Sequence, residues 1–196
     1  MTAIVDYRAG NLTSVKYALA AIGAEATVTS DPRAVAAADR VIFPGVGAAR
    51  HAMDSLSALG LVDAVREAAA TRPFLGICLG MQILFSHSEE DGGVDTLGVI
   101  PGNVRRFPDV PGFKVPEIGW NDVEPTGSDG LLAGGEAFYF VHSYYAEICP
   151  FTAGRTSYAG VDFTSAVRKG NLFATQFHPE KSGRAGLELL KRFMTS

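Results

Sequence analysis

Two cysteines, four histidines and a scatter of carboxylates are the side chains of this 196-residue chain that could do covalent chemistry. Cys78 stands out by its neighbours. It lies in Gly76-Ile77-Cys78-Leu79-Gly80, after the apolar run Phe74–Ile77 and before a helical pattern over Leu79–Phe85. A nucleophile held on a sharp strand-to-helix turn has this form, with glycines two residues either side to relieve crowding. At a helix start the backbone dipole favours a thiolate. The pattern by itself fits a small cysteine packed between strand and helix equally well. Cys149 precedes Pro150 in a turn-rich stretch and has no base close in sequence.

A cysteine nucleophile needs a base. Of His51, His87, His142 and His178, only His178 has a titratable partner at a useful spacing near a strand end, in Gln176-Phe177-His178-Pro179-Glu180. Proline biases the residue before it towards extended backbone, and residues two apart on an extended chain point to the same face. Glu180 can therefore stand beside the His178 imidazole, orient it and stabilise its cation. The expected catalytic set is Cys78, His178 and Glu180. His51 and His87 read as helix-surface residues, whereas His142 in Val141-His142-Ser143-Tyr144 fits the core, a position behind a site or a substrate loop.

Positioning these groups requires a framework, and composition bounds it. Apolar residues make up 47% and charged residues 19%, as in ordinary globular proteins. A chain of this length buries roughly 70% of its unfolded surface and needs no disulfide or metal to fold. The net charge of −4 argues against nucleic acid as a main partner. The absence of a long apolar run and of a basic-then-apolar start leads to an expectation of a cytoplasmic protein with free thiols, one domain over residues 1–196.

The first half alternates short β-like runs with helical ones. Thr2–Asp6, Ala26–Thr29, Arg40–Phe43 and Phe74–Ile77 read as strands. Asn11–Ile22 reads as a helix, Asp31-Pro32 as a helix start, and two more helices are expected on either side of Gly60. Such alternation argues for a parallel sheet with helices on both faces. The second half holds further β-like runs: Gly98–Ile100, Phe113–Val115, Ala137–His142, Thr164–Val167 and Leu172–Gln176. Turn formers separate them, so antiparallel strands added to the sheet are expected. A last helix, Gly183–Met194, carries Leu187, Leu190 and Phe193 on one stripe. The expected fold class is α/β, a mixed, mainly parallel central sheet flanked by helices.

Phe74–Gln82 resembles the nucleophile signature of the class I glutamine amidotransferases, and Gln176–Glu180 resembles their His-x-Glu signature. Pro44-Gly45-Val46-Gly47 resembles their oxyanion loop. The resemblance implies hydrolysis of glutamine through a Cys78 thioester, with backbone N–H groups of Leu79 and of the Val46–Gly47 loop receiving the oxyanion. It also implies substrate contacts from Gly47, Gln82, Glu90, Ser143 and Tyr144. Glu90 suits the α-ammonium of glutamine, although Ser88-Glu89-Glu90-Asp91 also fits a solvated helix end.

The likeness extends to the glutaminase subunits of imidazole glycerol phosphate synthase. Asp6–Leu12, Gly119-Trp120-Asn121, Val141–Tyr144 and Lys181-Ser182 are similar to theirs, and Arg8 and Glu117 are departures. It implies a (β/α)8 cyclase partner, contacted by Asn11, Trp120, Asn121 and Lys181, with no cofactor and no metal. A glutaminase subunit of an anthranilate, purine or pyridoxal phosphate synthase is the alternative.

Overall fold

The computed structural model describes residues 1–127 and 130–196. In the first half, β1 (Thr2–Val5), α1 (Leu12–Ala21), β2 (Thr27–Thr29), α2 (Pro32–Ala37) and β3 (Arg40–Gly45) alternate. Next come α3 (Ala49–Ala58), α4 (Val62–Thr71), β4 (Phe74–Cys78) and α5 (Leu79–Gln82). The second half is mostly strand: β5 (His87–Ser88), β6 (Val94–Asp95), β7 (Asn103–Arg106), β8 (Glu117–Pro125), β9 (Glu136–His142) and β10 (Tyr144–Ala146). It closes with β11 (Thr152–Tyr158), β12 (Val161–Lys169), β13 (Leu172–Thr175) and α6 (Gly183–Thr195).

Local chemistry explains the boundaries. Asp6 Oδ1 accepts from the Arg8 N–H at 2.9 Å, and Arg8 takes a left-handed backbone (φ 67°) in the opening turn. Glycine would adopt that conformation without strain. Asn11 caps α1 by accepting from Ser14 N–H, and Asp31 caps α2 by accepting from Arg33 N–H, with Pro32 at the first helical position. The break between α3 and α4 falls at Gly60, also left-handed (φ 65°).

Strands β2, β1, β3, β4 and β13 run parallel, in that order, and β12 continues the sheet antiparallel to β13. This is the mixed, mainly parallel sheet expected. The pleat sends alternate residues to opposite faces. Ala3, Val5, Val41, Phe43 and Phe74 join one core with α2, α3 and α4. Ile4, Ile42, Leu75 and Ile77 join the other with α1 and α6. Each fully buried side chain of this kind contributes roughly 1.5–3 kcal/mol. The placement that matters most is β13. The chain's last strand inserts beside β4, pairing Thr175 with Ile77.

Two expected strands are absent. Gly98–Ile100 is a bend, because Gly98 is left-handed (φ 65°) and the N–H groups of Gly98 and Ile100 close back on the carbonyls of Phe85 and Leu84. Phe113–Val115 is irregular chain after a turn at Pro111-Gly112, which the Phe113 N–H closes by bonding to Val110 O. The helix expected over Leu79–Phe85 ends at Gln82, after which Leu84 and Phe85 donate to carbonyls only three residues back. Strand β8, hidden in the sequence by Gly119, Asn121 and Pro125, pairs with β9 over seven residues.

The turn from β4 into α5 is tight enough to exclude side chains. A Cβ on Gly80 would overlap the Phe43 carbonyl oxygen. Gly80→Ala should therefore lower the melting midpoint by several degrees, given ~1–3 kcal/mol for overpacking and ~2–4 °C per kcal/mol at this length. Gly134, with open space around it, should accept alanine without loss. Differential scanning calorimetry of the two variants checks this.

Candidate active site

The end of β4 places Cys78 in a sharp turn with φ 55° and ψ −115°, a conformation an L-residue adopts only under constraint. Its register partner on β3 is Gly45, which lies so close to the elbow that a Cβ there would overlap the Tyr7 hydroxyl and crowd the Gly80 amide at 2.7 Å. That closeness brings the following loop, Val46 and left-handed Gly47 (φ 94°), against the cysteine.

On the neighbouring strand, β13 leads directly into Gln176, Phe177 and His178. His178 Nδ1 lies 2.8 Å from Glu180 Oε1, and both side chains are almost fully buried. Facing a carboxylate, Nδ1 carries a hydrogen, which leaves Nε2 for the cleft. Among the described residues neither Nε2 nor Glu180 Oε2 has an aligned hydrogen-bond partner. Burial works to lower the His178 pKa, but the neighbouring Cys78 sulfur and then Glu180 outweigh it and push it up to about 10. The turn is pinned from β9: His178 N–H donates to Tyr139 O at 2.9 Å, and Ser182 Oγ donates to His178 O at 2.6 Å.

A cavity of about 340 Å³ opens over Cys78, at the small end of the roughly 300–1,000 Å³ typical of small-molecule sites. Every residue expected at the oxyanion and substrate positions lines it: Val46, Gly47, Leu79, Gln82, Glu90, Ser143 and Tyr144. Pro116, Val141, His142 and Lys181 complete the wall with Cys78 and His178. Glu180 stands behind His178.

Glu90 departs from its acidic neighbours. Glu89 turns outward to Arg105, at 2.8 Å, whereas Glu90 Oε2 accepts from the Ala49 N–H at the start of α3, at 2.6 Å. Burial raises the Glu90 pKa, and the Ala49 N–H opposes that shift. The run is thus not a uniformly solvated helix end.

Of the expected interface residues, Trp120 is 59% exposed and Lys181 is exposed. Asn11 caps α1, and the Asn121 amide is engaged within the chain, donating to Glu117 Oε1 and Ser157 O.

Sequence reading missed three residues here. Gln176 Nε2 donates to Cys78 Sγ at 3.8 Å, and its Oε1 accepts from Gln82 Nε2 at 2.9 Å. The signal was its place two residues before His178, on the same face. Tyr7 is fully buried with an unpartnered hydroxyl, and burial, then Cys78, push its pKa well up, so it stays neutral. Glu117 is buried against His142, where its sequence neighbours suggested only a docking surface. Among the described residues no cluster suited to a metal ion is found, and no helix is long and apolar enough to cross a membrane.

A mainly parallel sheet carrying a cysteine elbow beside a buried His–Glu pair is thus an α/β fold of the glutamine amidotransferase type. The chain belongs to the class-I glutamine amidotransferase family, whose model matches residues 3–196. It is 50% identical to imidazole glycerol phosphate synthase subunit HisH of Thiobacillus denitrificans, over 98% of this chain and 90% of the relative. It is 51% identical to the subunit of the same name from Dechloromonas aromatica, over 98% of this chain and 94% of the relative. A solved glutamine amidotransferase structure superposes with a TM-score of 0.76 at 21% identity, covering 98% of this chain and 97% of that one. That last likeness concerns the fold.

If the Cys78 sulfur is what chiefly holds the His178 proton, Cys78→Ala should bring the imidazole pKa down from about 10 towards the ordinary histidine range near 6.5. NMR titration of the His178 ring measures it. An unchanged pKa would mean that Glu180 alone holds the proton.

Proposed function

We propose that this chain is the glutaminase subunit of an imidazole glycerol phosphate synthase. It hydrolyses glutamine to glutamate and ammonia through a Cys78 thioester. The ammonia passes to a (β/α)8 cyclase subunit that makes imidazole glycerol phosphate in histidine biosynthesis. The observation that carries the chemistry is the convergence of Cys78, at the end of β4, with His178 and Glu180, just past the end of the adjacent β13. Relatives at 46–51% identity share one subunit name, which favours this pathway over anthranilate, purine or pyridoxal phosphate synthesis.

The Cys78 thiolate attacks the side-chain amide carbon of glutamine. Negative charge develops on the carbonyl oxygen, and the N–H groups of Leu79 and of the Val46–Gly47 loop receive it. His178, held protonated, gives its Nε2 proton to the departing nitrogen, so ammonia leaves and the thioester remains. The neutral imidazole then takes a proton from water, and the hydroxide equivalent attacks the thioester. Collapse releases glutamate and restores the thiolate beside a protonated His178. Glu180 fixes the tautomer and stabilises the cation throughout. Glu90 takes the α-ammonium of the substrate, and Gln82, Ser143 and Tyr144 fix its orientation.

The cyclase docks over the carboxyl ends of the parallel strands, where open α/β sheets place their ligand crevice. On β8, Trp120 and Ile118 point outward at 59% and 64% exposure. The Trp120 ring reaches to 3.9 Å from where a side chain on Gly183 would begin, beside Lys181. A large, rigid aromatic of this kind suits an interface centre. Asn11 and Asn121 flank the same contact.

Cys78→Ala should leave the fold intact and lower glutamine hydrolysis on the order of 10³-fold or more. A glutamine analogue with an electrophilic carbon should label Cys78 and spare the half-buried Cys149. Wild-type turnover in the folded variant would sink the assignment. Because Trp120 is exposed, Trp120→Ala should leave the melting temperature of the isolated subunit nearly unchanged and weaken assembly with the cyclase, as should Lys181→Ala. Analytical ultracentrifugation of the mixed subunits reads this out, and undiminished assembly in both variants would remove the docking face.

A further inference from the structure

The same cavity wall that holds His178 also holds His142, half of a second buried His–Glu pair. His142 Nε2 and Glu117 Oε2 are 3.0 Å apart, with side chains 2% and 4% exposed. Neither atom has an aligned hydrogen-bond partner anywhere in the described structure. The His142 ring sits among Phe107, Phe140 and Phe163, with centroids 5.2, 5.6 and 5.3 Å away. Both side chains are thus almost wholly buried, His142 within an aromatic cluster.

Proton bookkeeping restricts what they do. His142 Nδ1 lies 2.7 Å from the Tyr144 carbonyl oxygen, which can only accept, so Nδ1 carries a hydrogen. The other ring nitrogen, Nε2, is thereby turned to Glu117 Oε2. Glu117 is itself held by Asn121 Nδ2, which donates to its Oε1 at 2.8 Å.

The pair leads towards the nucleophile. Tyr144 O accepts a second hydrogen bond, from Gln82 Nε2 at 2.8 Å. The same Gln82 nitrogen donates to Gln176 Oε1 at 2.9 Å, and Gln176 Nε2 donates to Cys78 Sγ at 3.8 Å. The polar path therefore runs from β8, beside exposed Ile118 and Trp120, to the sulfur. Buried ion pairs of this kind add little net stability compared with apolar residues of the same volume. What they supply here is position.

We propose that Glu117 and His142 are positioning residues of the glutaminase site: buried against each other, they fix the Tyr144 carbonyl and so set the Ser143–Tyr144 substrate wall and the Gln82–Gln176 contact to Cys78. The proposal rests on the glutaminase reading above. It concerns substrate fit, since neither residue touches the sulfur. Gln in place of Glu117 keeps an acceptor for Asn121 and offers a donor to Nε2, so it preserves the arrangement. Methionine fills the same volume and breaks it.

The test follows Cys78 alkylation by an electrophilic glutamine analogue in the full chain, against analogue concentration, with ammonia release from glutamine measured alongside. Loss of a hydrogen bond to a charged group predicts a half-saturating concentration about tenfold higher in Glu117→Met, with a smaller change in the saturating rate. His142→Leu should show the same split, so the test does not hang on the folding of one variant. Glu117→Gln should stay within about twofold of wild type, below the ~1.4 kcal/mol that tenfold represents. Variants that only lose labelled amplitude, with unchanged half-saturation, would show a purely structural pair and overturn the proposal. So would a Glu117→Gln chain as impaired as Glu117→Met. A wild-type chain that is neither labelled nor active would instead strike the glutaminase reading itself.

Discussion

The backbone of Cys78 resists its own conformation. A non-glycine residue at φ 55° and ψ −115° costs on the order of 1–3 kcal/mol and persists only where its surroundings hold it. Those surroundings are β3 and β4, whose side chains fill cores on both faces of the sheet, and the close approach of Gly45 and Gly80 at the turn. Because the strand is buried on both faces and paired on both edges, the strain cannot relax by moving the cysteine. The sulfur is thereby lifted to the open end of the sheet. Everything else at the site is arranged around that one fixed atom.

Electrostatics adds the second constraint. Burying a charge is costly unless it is paired, and the site buries two His–Glu pairs whose histidines both line one cavity. The His178–Glu180 pair faces the sulfur, and the imidazole pKa is pushed up because the Cys78 sulfur and the Glu180 carboxylate both lie near it. The His142–Glu117 pair faces a carbonyl oxygen, where a fixed orientation is the only service available. The two pairs are chemically alike. What they touch makes one suited to proton transfer and the other to placement.

The cavity wall around Glu90 and Ser143 is built from loops braced by helix and strand ends. Glu90 is held by the first N–H of α3, and Ser143 lies between β9 and β10, with its carbonyl bonded to Phe107 N–H. Irregular segments are aimed by regular ones. The outward face of β8, with Ile118 and Trp120 uncovered, continues the same wall to the surface. A partner seated there would touch the strand that carries Glu117.

Sequence alone determined what depends on neighbours along the chain. The elbow glycines around Cys78, the spacing of His178 and Glu180, the caps at Asn11 and Asp31-Pro32 and the helical stripes of the first half are local signals, and local sterics and hydrogen bonding honour them. Short β-like runs were less legible: Gly98–Ile100 and Phe113–Val115 have the composition of strands, but left-handed glycines and turn hydrogen bonds claim their backbones. Strand β8 was invisible until β9 and β11 paired with it. Only the tertiary structure decided that β13 lies beside β4, which is why Cys78 and His178, far apart in sequence, line one cavity. It also decided that Glu90 turns inward while Glu89 does not, that Gln176 reaches the sulfur, and that Glu117 meets His142 in an aromatic box. Each of those is a contact between distant segments, set by how sheets and helices close around their cores, and no spacing along the chain encodes it.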